Sequence, residues 1–518
     1  MIVVTAMQMR ELDRLTIEEF GVPSLTLMER AGEGITEVLL QRFAPAVKKG
    51  VLIVAGKGNN GGDGFVVARL LKKKKIPCEV FLLGRADELS PDALRNRTAF
   101  QRLRGRVVEV GSGGVEVLAQ RLSKYGLLLD AILGTGVKNE VSGVFAEAIT
   151  LMNASGLPIV AVDIPSGLDT DKGTALGVAV QAEMTVSLGY PKLGQVIYPG
   201  LDYVGDLVVA DIGIDRRAVE QLAPKTELLD EEQVRWLVPR RESDTHKGNY
   251  GHVLVLAGSR GKTGAAILAC RAAMRSGAGL VTLAAPRSLN GIFAGSLLEV
   301  MTEPLRENTD EESEPLLGED WQRLLARKDA FLFGPGIGIN DGTRSMLRWL
   351  LRNLDLPWVI DADGLNNLAL ELDRLRSAKT APILTPHPGE MARLIGKDNA
   401  AVNSDRIAVA RAFAIEHRCH VVLKGARSVI ATAAGEVFIN PTGNPGMASG
   451  GMGDVLAGML AALLGQGFGC RDAMKLGVYL HGFVGDRVAQ EKGDIGLIAS
   501  DLIEGLPSGM RALAPVNP

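Results

Sequence analysis

Short apolar runs alternate with amphipathic stretches along most of the chain, the rhythm of a parallel α/β sheet whose strands are joined by helices. After predicted helices over 8–20 and 25–43, the first half carries six such runs. They are VLIVAG from Val51, CEVFLLG from Cys78, LLLDAILG from Leu127, PIVAVDIP from Pro158, MTVSLG from Met184 and DLVVADIG from Asp206. A charged stretch over 215–244 shows no clear strand and reads as a partly helical boundary. A second alternation begins with HVLVLAGS from His252 and continues through GLVTLAAP, AFLFGPGIG, WVIDADGLN, PILTPHPGE and HVVLKGARSVI. The acidic, proline-punctuated segment EPLRENTDEESEPLLGED from Glu303 reads as a solvent loop within it. The expected fold class is α/β: a Rossmann-like three-layer α/β/α domain over 1–220 and a larger α/β domain over 221–518.

Composition narrows the setting. Hydrophobic residues make up 46% and charged residues 23% of the chain, the balance of a globular protein. A net charge of -3 and an aromatic content of 4% argue against a nucleic-acid partner, which needs a basic field or stacking platforms. No apolar run approaches the roughly 18 residues needed to span a bilayer, and the opening MIVVTAMQMRELDR acquires acidic residues too soon for a secretory signal. Cys78, Cys270, Cys419 and Cys470 form no CxxC or metal-ligand spacing, so a cytoplasmic, reducing location is expected. Glycine, 62 of 518 residues, is in excess and clusters in loops, where bare backbone can approach a phosphate closely.

The first strand runs into GKGNNGGDG, which contains GxGxxG at Gly56, Gly58 and Gly61. A hydride-transfer domain should place an acid at the end of the second strand, but Glu79 sits at its beginning. The polar residues Asn59, Asn60 and Asp63 are more telling, because amide and carboxylate oxygens in such a loop can ligate a hard cation or orient a ribose. Asp130, and Asp163 with Ser166, also follow apolar strands and belong to the carboxyl edge, where open α/β sheets bind ligands. A helix cap explains any one of these acids, and a local turn beside Pro165 explains Ser166, but capping explains all three acids together much less well.

GKGNNGGDG, DAILGTG, VDIPSGLDTDKG and GYPKLGQVIYPG, with MRELDR and SLTLMERAG, resemble the NAD(P)H-hydrate epimerase family over nearly all of 1–215. The resemblance implies interconversion of R and S hydrates of NADH and NADPH. It implies a K+ ion held by Asn60, Asp130 and Ser166. It also implies substrate contacts from Asn59, Asn60, Gly61, Gly62 and Asp63, from Gly134, Thr135, Gly136, Val137, Lys138, Asn139 and Glu140, and from Asp163. The hydrate is a hemiaminal, so acid-assisted loss of its hydroxyl leaves an iminium that water can recapture from either face, and Asp163 is the candidate acid or base. Lys138 and Asn139 stand where the family commonly has Asn and Arg.

In the second half, Gly261, Lys262 and Thr263 invite a Walker A assignment, but the required glycine five residues earlier is Leu256, and the spacing fails. NPTGNPGMASGGMGDVLAGMLAALL is more informative. Its glycine-rich turn ends in Gly453 and Asp454 and enters an apolar helix, whose end amides make an anion hole. An Asp just inside such a helix can accept a hydroxyl proton while phosphate charge develops over those amides. Complementing the helix dipole explains Asp454 alone, but not the glycine run. KGARS from Lys424 offers a cation and close backbone to a phosphate. TPHPGEMARL places His387 in a proline-held turn, read here as facing a ligand, although a structural histidine is the commoner case. GPGIG permits close backbone approach, or is an ordinary tight turn.

HKGNYG, VLVLAGS, RSGAGLVTLAAP, GPGIG, DADGLN, TPHPGEMARLIG, LKGARSVI and GMASGGMGDVLAG resemble the NAD(P)H-hydrate dehydratase family, itself ribokinase-like, over about 225–510. The resemblance implies that Ala265, Gly336, Gly338, His387 and Asp454 contact the hydrated nicotinamide. Lys424, Gly425, Ala426, Arg427, Ser428 and Gly453 are implied to serve the adenine nucleotide. Ser449 and Met452 stand where the family often has threonine. The implied substrates are NADHX, NADPHX and ADP, with Mg2+ accompanying the nucleotide, and relatives imply a homo-oligomer. A ribokinase-type small-molecule kinase fused to a nucleotide-binding domain is the alternative, which TPHPGEMARL disfavours by resemblance. A non-enzymatic nucleotide-binding module is a third reading, weakened because binding alone does not require Asp454 beside an anion hole.

Overall fold

A computed structural model describes residues 1–110, 115–308 and 313–515. The chain divides into two compact units, Ile2–Pro224 and Lys225–Pro518.

The first unit is built on seven parallel strands: β1 (Val51–Ala55), β2 (Cys78–Leu83), β3 (Arg106–Val110), β4 (Leu127–Ala131), β5 (Ile159–Val162), β6 (Met184–Leu188) and β7 (Asp206–Ala210). Their order is β3-β2-β1-β4-β5-β6-β7, so the winding reverses between β1 and β4. Every residue of β1 is buried because helices cover both faces. Val51, Ile53 and Ala55 pack into one layer with Ile35 and Leu39, while Leu52 and Val54 pack into the other with Ile149 and Met152. The three-layer expectation holds, but the strand count does not: β3, at the sheet's edge, was not foreseen. Its sequence RVVEV is only partly buried, and an edge strand lacks the two covered faces that make an uninterrupted apolar run.

The second unit contains a ten-stranded sheet: β8 (Thr226–Leu228), β9 (His252–Leu256), β10 (Leu280–Pro286), β11 (Met301–Leu305), β12 (Ala330–Phe333), β13 (Trp358–Ile360), β14 (Ile383–Leu384), β15 (His420–Leu423), β16 (Val429–Ala431) and β17 (Val437–Ile439). The order is β11-β10-β9-β12-β13-β14-β15-β16-β17-β8, parallel except where β16 runs against both its neighbours. Two expectations are corrected. The charged boundary contains β8, a three-residue edge strand too short to show a period. The acidic segment from Glu303 is not all loop, since Glu303–Leu305 belong to β11 and Gly318 opens a helix; 309–312 lie outside the described residues. The apolar run at 455–464 is a buried helix, Met452–Gly465, as expected. Among the described residues no helix is long and apolar enough to cross a membrane.

Candidate active sites

In the first unit the carboxyl ends of β1, β4 and β5 are neighbours, and a cavity of ≈ 780 Å³ opens over them. Gly56 makes the tight exit from β1, where an added Cβ would lie 1.9 Å from the Ile132 carbonyl oxygen. The helix Asn59–Lys73 then starts at the cavity wall. Glu79 is bound elsewhere, 2.7 Å from the Arg106 guanidinium at the amino end of β2. That geometry leaves the ribose-binding acid of a hydride-transfer domain without a counterpart.

Asn59, Asn60, Asp63, Asp163 and the segment Gly134–Asn139 share this cavity, whereas three other predicted contacts stand apart from its wall. Gly61 presses against the Gly56 carbonyl, Gly62 against the Met28 side chain, and Glu140 is exposed beside Gly177. The two glycines are therefore explained by close packing of helix on loop. Lys138 and Asn139 do line the cavity despite their departure from the family pattern.

Behind the wall, Asp130 is completely buried at the end of β4. Its carboxylate accepts hydrogen bonds from the Ser166 hydroxyl (2.6 Å), the Ser166 amide (2.8 Å) and the Ile132 amide (3.2 Å). Burial pushes its pKa up to about 6, against the opposing pull of the Ser166 hydrogen bonds. The Asn60 side-chain amide donates to the Leu133 carbonyl at 3.1 Å, and the Leu133 amide donates to Ser166 Oγ at 2.8 Å. One carboxylate, one hydroxyl, one amide and a main-chain carbonyl form an oxygen-rich group of low charge. Such a donor set fits a monovalent hard cation, which would offset the cost of burying Asp130.

Asp163 follows β5 with φ 65°, a left-handed conformation that Asp tolerates better than most residues. Its Oδ1 accepts from the Leu188 amide at 2.9 Å and pairs with the fully buried Lys192 ammonium. Lys192 also donates to the Leu188 carbonyl at 3.0 Å and Ser187 Oγ at 3.1 Å. Three further carboxyls reach the cavity: Asp63, Asp13 of the helix Ala6–Arg14, and Asp92, which accepts a hydrogen bond from the Ser24 hydroxyl at 2.7 Å. Burial, and then the charge of Asp163, raise Asp63 well above the usual carboxylate range and Asp13 to about 6. Asp13 and Lys192 were absent from the predicted site, although both lie in quoted segments, MRELDR and GYPKLG.

In the second unit the adjacent strands β13, β14 and β15 deliver Asp361, the turn at His387 and Lys424 side by side. Lys424 Nζ is 2.9 Å from Asp361 Oδ1 and 3.8 Å from Glu390 Oε2. Burial works against the Lys424 charge, yet Asp361 and Glu390 hold its pKa above the ordinary lysine value. Its ammonium is thus engaged by acids rather than offered freely to a phosphate. Asp454 stands in the first turn of Met452–Gly465, after the left-handed Gly451. Burial first, then the charges of Asp361 and Glu390, push its pKa up to about 7 despite Lys424. Gly453 is where the helix approaches the cluster, since a Cβ there would lie 3.0 Å from Lys424 Nζ.

The other predicted contacts fall into three groups. Gly336 and Ala265 are adjacent, an added Gly336 Cβ lying 3.2 Å from that of Ala265. The Gly338 amide donates to Asp363 Oδ2 at 3.0 Å, and the same oxygen lies 2.8 Å from Lys262 Nζ. This ion pair is how Lys262 is used, consistent with the failed Walker spacing. Gly425 and Arg427 adopt positive φ in the 424–428 loop, which Arg406 supports by donating to the Leu423 and Lys424 carbonyls at 3.1 and 3.2 Å. His387 caps the helix Pro388–Leu394, its Nδ1 accepting from the Gly389 amide at 3.0 Å. A structural use thus accounts for one ring nitrogen. Asp361, Asp363 and Glu390 were missed as site residues; DADGLN and TPHPGEMARL contained them, but no spacing rule ties them to Asp454.

Residues 24–194 match the family described as YjeF-related protein N-terminus, and 253–508 the family described as NAD(P)H-hydrate dehydratase. The chain is 42% identical over 520 residues to the bifunctional NAD(P)H-hydrate repair enzyme of Moorella thermoacetica, covering 99% of this chain and 97% of the relative. It is 37% identical to that of Thermofilum pendens over 509 residues, 98% of this chain and 95% of the relative. Among solved structures, the ADP/ATP-dependent NAD(P)H-hydrate dehydratase from Bacillus subtilis, co-crystallized with ATP and Mg2+, is 30% identical over 55% of this chain and 98% of its own, with a TM-score of 0.48. With similarity running through both units, the chain belongs to the family of bifunctional NAD(P)H-hydrate repair enzymes.

Proposed function

We propose that the first unit interconverts the R and S forms of NADHX and NADPHX, and that the second dehydrates the S form to NADH or NADPH. In the second reaction the hydrate's hydroxyl attacks the terminal phosphorus of ADP and AMP departs. The ring nitrogen then expels inorganic phosphate while the neighbouring carbon loses a proton, restoring the dihydropyridine. Asp454 takes the hydroxyl proton in the first step. A pKa raised to about 7 suits a base working near neutrality.

The observation that carries this reading is Asp454 itself, a proton acceptor tuned by burial and flanked by Lys424, Asp361 and the glycine-rich start of an apolar helix. That helix start supplies main-chain amides for the phosphoryl group. Ala265, Gly336, Gly338 and His387 are assigned to the nicotinamide, and Gly425–Ser428 with Gly453 to the nucleotide. Mg2+ bound to the phosphates of the nucleotide would neutralise charge developing on the transferred phosphoryl group.

In the first unit, Asp163 handles the proton of the reacting hydroxyl, and its ion pair with Lys192 fixes the carboxylate in place. Asn60, Asp130 and Ser166 would hold K+, which supplies positive charge beneath the loop that faces the dinucleotide. The four free cysteines suit a cytoplasmic setting, and assembly into a homo-oligomer is part of the same reading.

The test supplies purified protein with mixed R and S hydrates, ADP and Mg2+, and follows recovery of dihydronicotinamide absorbance. Complete recovery is expected. Asp454→Asn should abolish recovery while chromatography still shows the two epimers equilibrating. A wild-type protein that restores no absorbance with ADP or ATP overturns the proposal.

A further inference from the structure

The cavity of the first unit holds a carboxyl that the assignments above leave unused. Asp13 lies on the helix Ala6–Arg14, an element separate from the helix Asn59–Lys73 that carries Asp63 and from the strand end that carries Asp163, and lines the same ≈ 780 Å³ space. The helix is fastened to the wall it faces, with Arg10 donating to the Thr135 carbonyl at 3.2 Å. Thr5 and Gln8 form a reciprocal capping box at the start of that helix, with bonds of 3.1 and 3.0 Å. Asp13 is therefore delivered by a rigid element.

Inverting a hemiaminal carbon requires two proton transfers. One protonates the departing hydroxyl, and the other deprotonates the water that re-enters on the opposite face. A single carboxylate on one wall serves one face. We infer that Asp13 is the second proton-transfer residue of the epimerase, partnering Asp163 in the cavity they share; this rests on the epimerase reading of the site.

In one direction the Asp13 carboxylic acid protonates the hydroxyl. The carbon–oxygen bond breaks, water leaves and the ring nitrogen's electron pair closes the iminium. A water entering from the other face forms the new carbon–oxygen bond and gives its proton to the Asp163 carboxylate. Return of that proton from Asp163 to Asp13 through cavity water resets the pair, and the opposite epimer runs the same steps with the roles exchanged. Atoms and charge balance without a further reactant.

Asp63 is a weaker candidate for this duty. It is 7% exposed and sits in the same helix start as Asn60, where burial and then the Asp163 charge raise its pKa above the usual carboxylate range; Asp92 is already held by the Ser24 hydroxyl. Asp13 comes from a separate helix and is only partly buried at the cavity wall, with a pKa raised to about 6, where a group can both give and accept a proton.

The experiment uses the full chain with Asp13→Ala, measuring epimerisation of separated R hydrate, and dehydration of separated S hydrate as an internal control. Expected is a fall in epimerisation kcat of at least 100-fold with KM within about threefold and unchanged dehydration. Added formate, small enough to occupy the vacated volume, should restore at least tenfold. Full activity in Asp13→Ala overturns the inference, as does a lost activity that formate does not restore. If Asp13→Ala costs the unit its thermal transition, Asp13→Asn decides by the same kcat and KM criterion, its isosteric amide keeping the packing. Wild-type protein that fails to interconvert the epimers would instead sink the epimerase reading itself.

Discussion

Both units gather three carboxyls around one lysine, yet they place the cation differently. In the first unit Lys192 is fully buried and pairs with Asp163, the residue assigned to the chemistry, while Asp13 and Asp63 carry raised pKa values. In the second, Lys424 pairs with Asp361, and the residue assigned to the chemistry, Asp454, is left raised to about 7. The position of the cation within the cluster thus decides which acid is fixed by an ion pair and which is poised to exchange a proton. The difference suits the tasks. An epimerase must give a proton to the hydroxyl that leaves and take one from the water that returns, whereas a phosphoryl acceptor must be relieved of one.

The sharpest way to break the comparison is at Asp454. Asp454→Asn should lower dehydration by about 10²–10⁴-fold, the range for a lost general base, with epimerisation unaffected. Equal losses in both activities would mean that the two clusters are not independent machines.

Next in size is the cation itself. Lys192→Met leaves buried carboxyls uncompensated and should cost the first unit about 3–5 kcal/mol, read as a lowered unfolding midpoint. Lys424→Met should cost the second unit less, because that side chain is 19% exposed against 0% for Lys192. Equal shifts would show that burial is not what separates them.

A smaller effect follows from linkage. The Asp454 pKa in the folded state, about 7, lies above the ordinary aspartate value of 3.8, so the folded protein holds this proton more tightly than the unfolded chain does. The resulting stabilisation is full below about pH 4 and is lost as pH rises through 7. Asp454→Asn should therefore stabilise the second unit by about 1–3 kcal/mol at pH 8 and by little at pH 4, measured by denaturant titration at the two values. A gain at pH 4 as large as that at pH 8 would refute the electrostatic origin.

The smallest change is Gly453→Ala. Its methyl would meet the end of Lys424 at 3.0 Å, a flexible group that can yield. Stability should stay within about 1 kcal/mol while dehydration falls by about threefold to tenfold, since the displaced ammonium no longer balances Asp361 and Asp454 as before. A loss of several kcal/mol would show that the helix start is rigidly constrained.

Much of this architecture was legible in the chain. The strands β1, β4 and β5, and β9, β12 and β13, read as apolar runs because both faces are covered by helices. Strands β3, β8 and β11 did not, because positions at sheet edges tolerate Arg106, Glu109, Glu227 and Glu303 within the run. β17, Val437–Ile439, was not read either. The site divides in the same manner. Asn60, Asp130, Asp163 and Asp454 announced themselves through glycine loops and strand ends. Asp13, Lys192, Asp361 and Glu390 lie in ordinary-looking segments.

Sequence alone determined the two α/β halves and singled out Asp163 at a strand end and Asp454 at a glycine-rich helix start as candidates, because burial periodicity and loop chemistry are local properties. Only the tertiary structure decided which lysine meets which acid, and so which carboxyl holds its proton. Electrostatic coupling depends on separation in space and on exclusion of water, and neither is written in the spacing of residues along a chain.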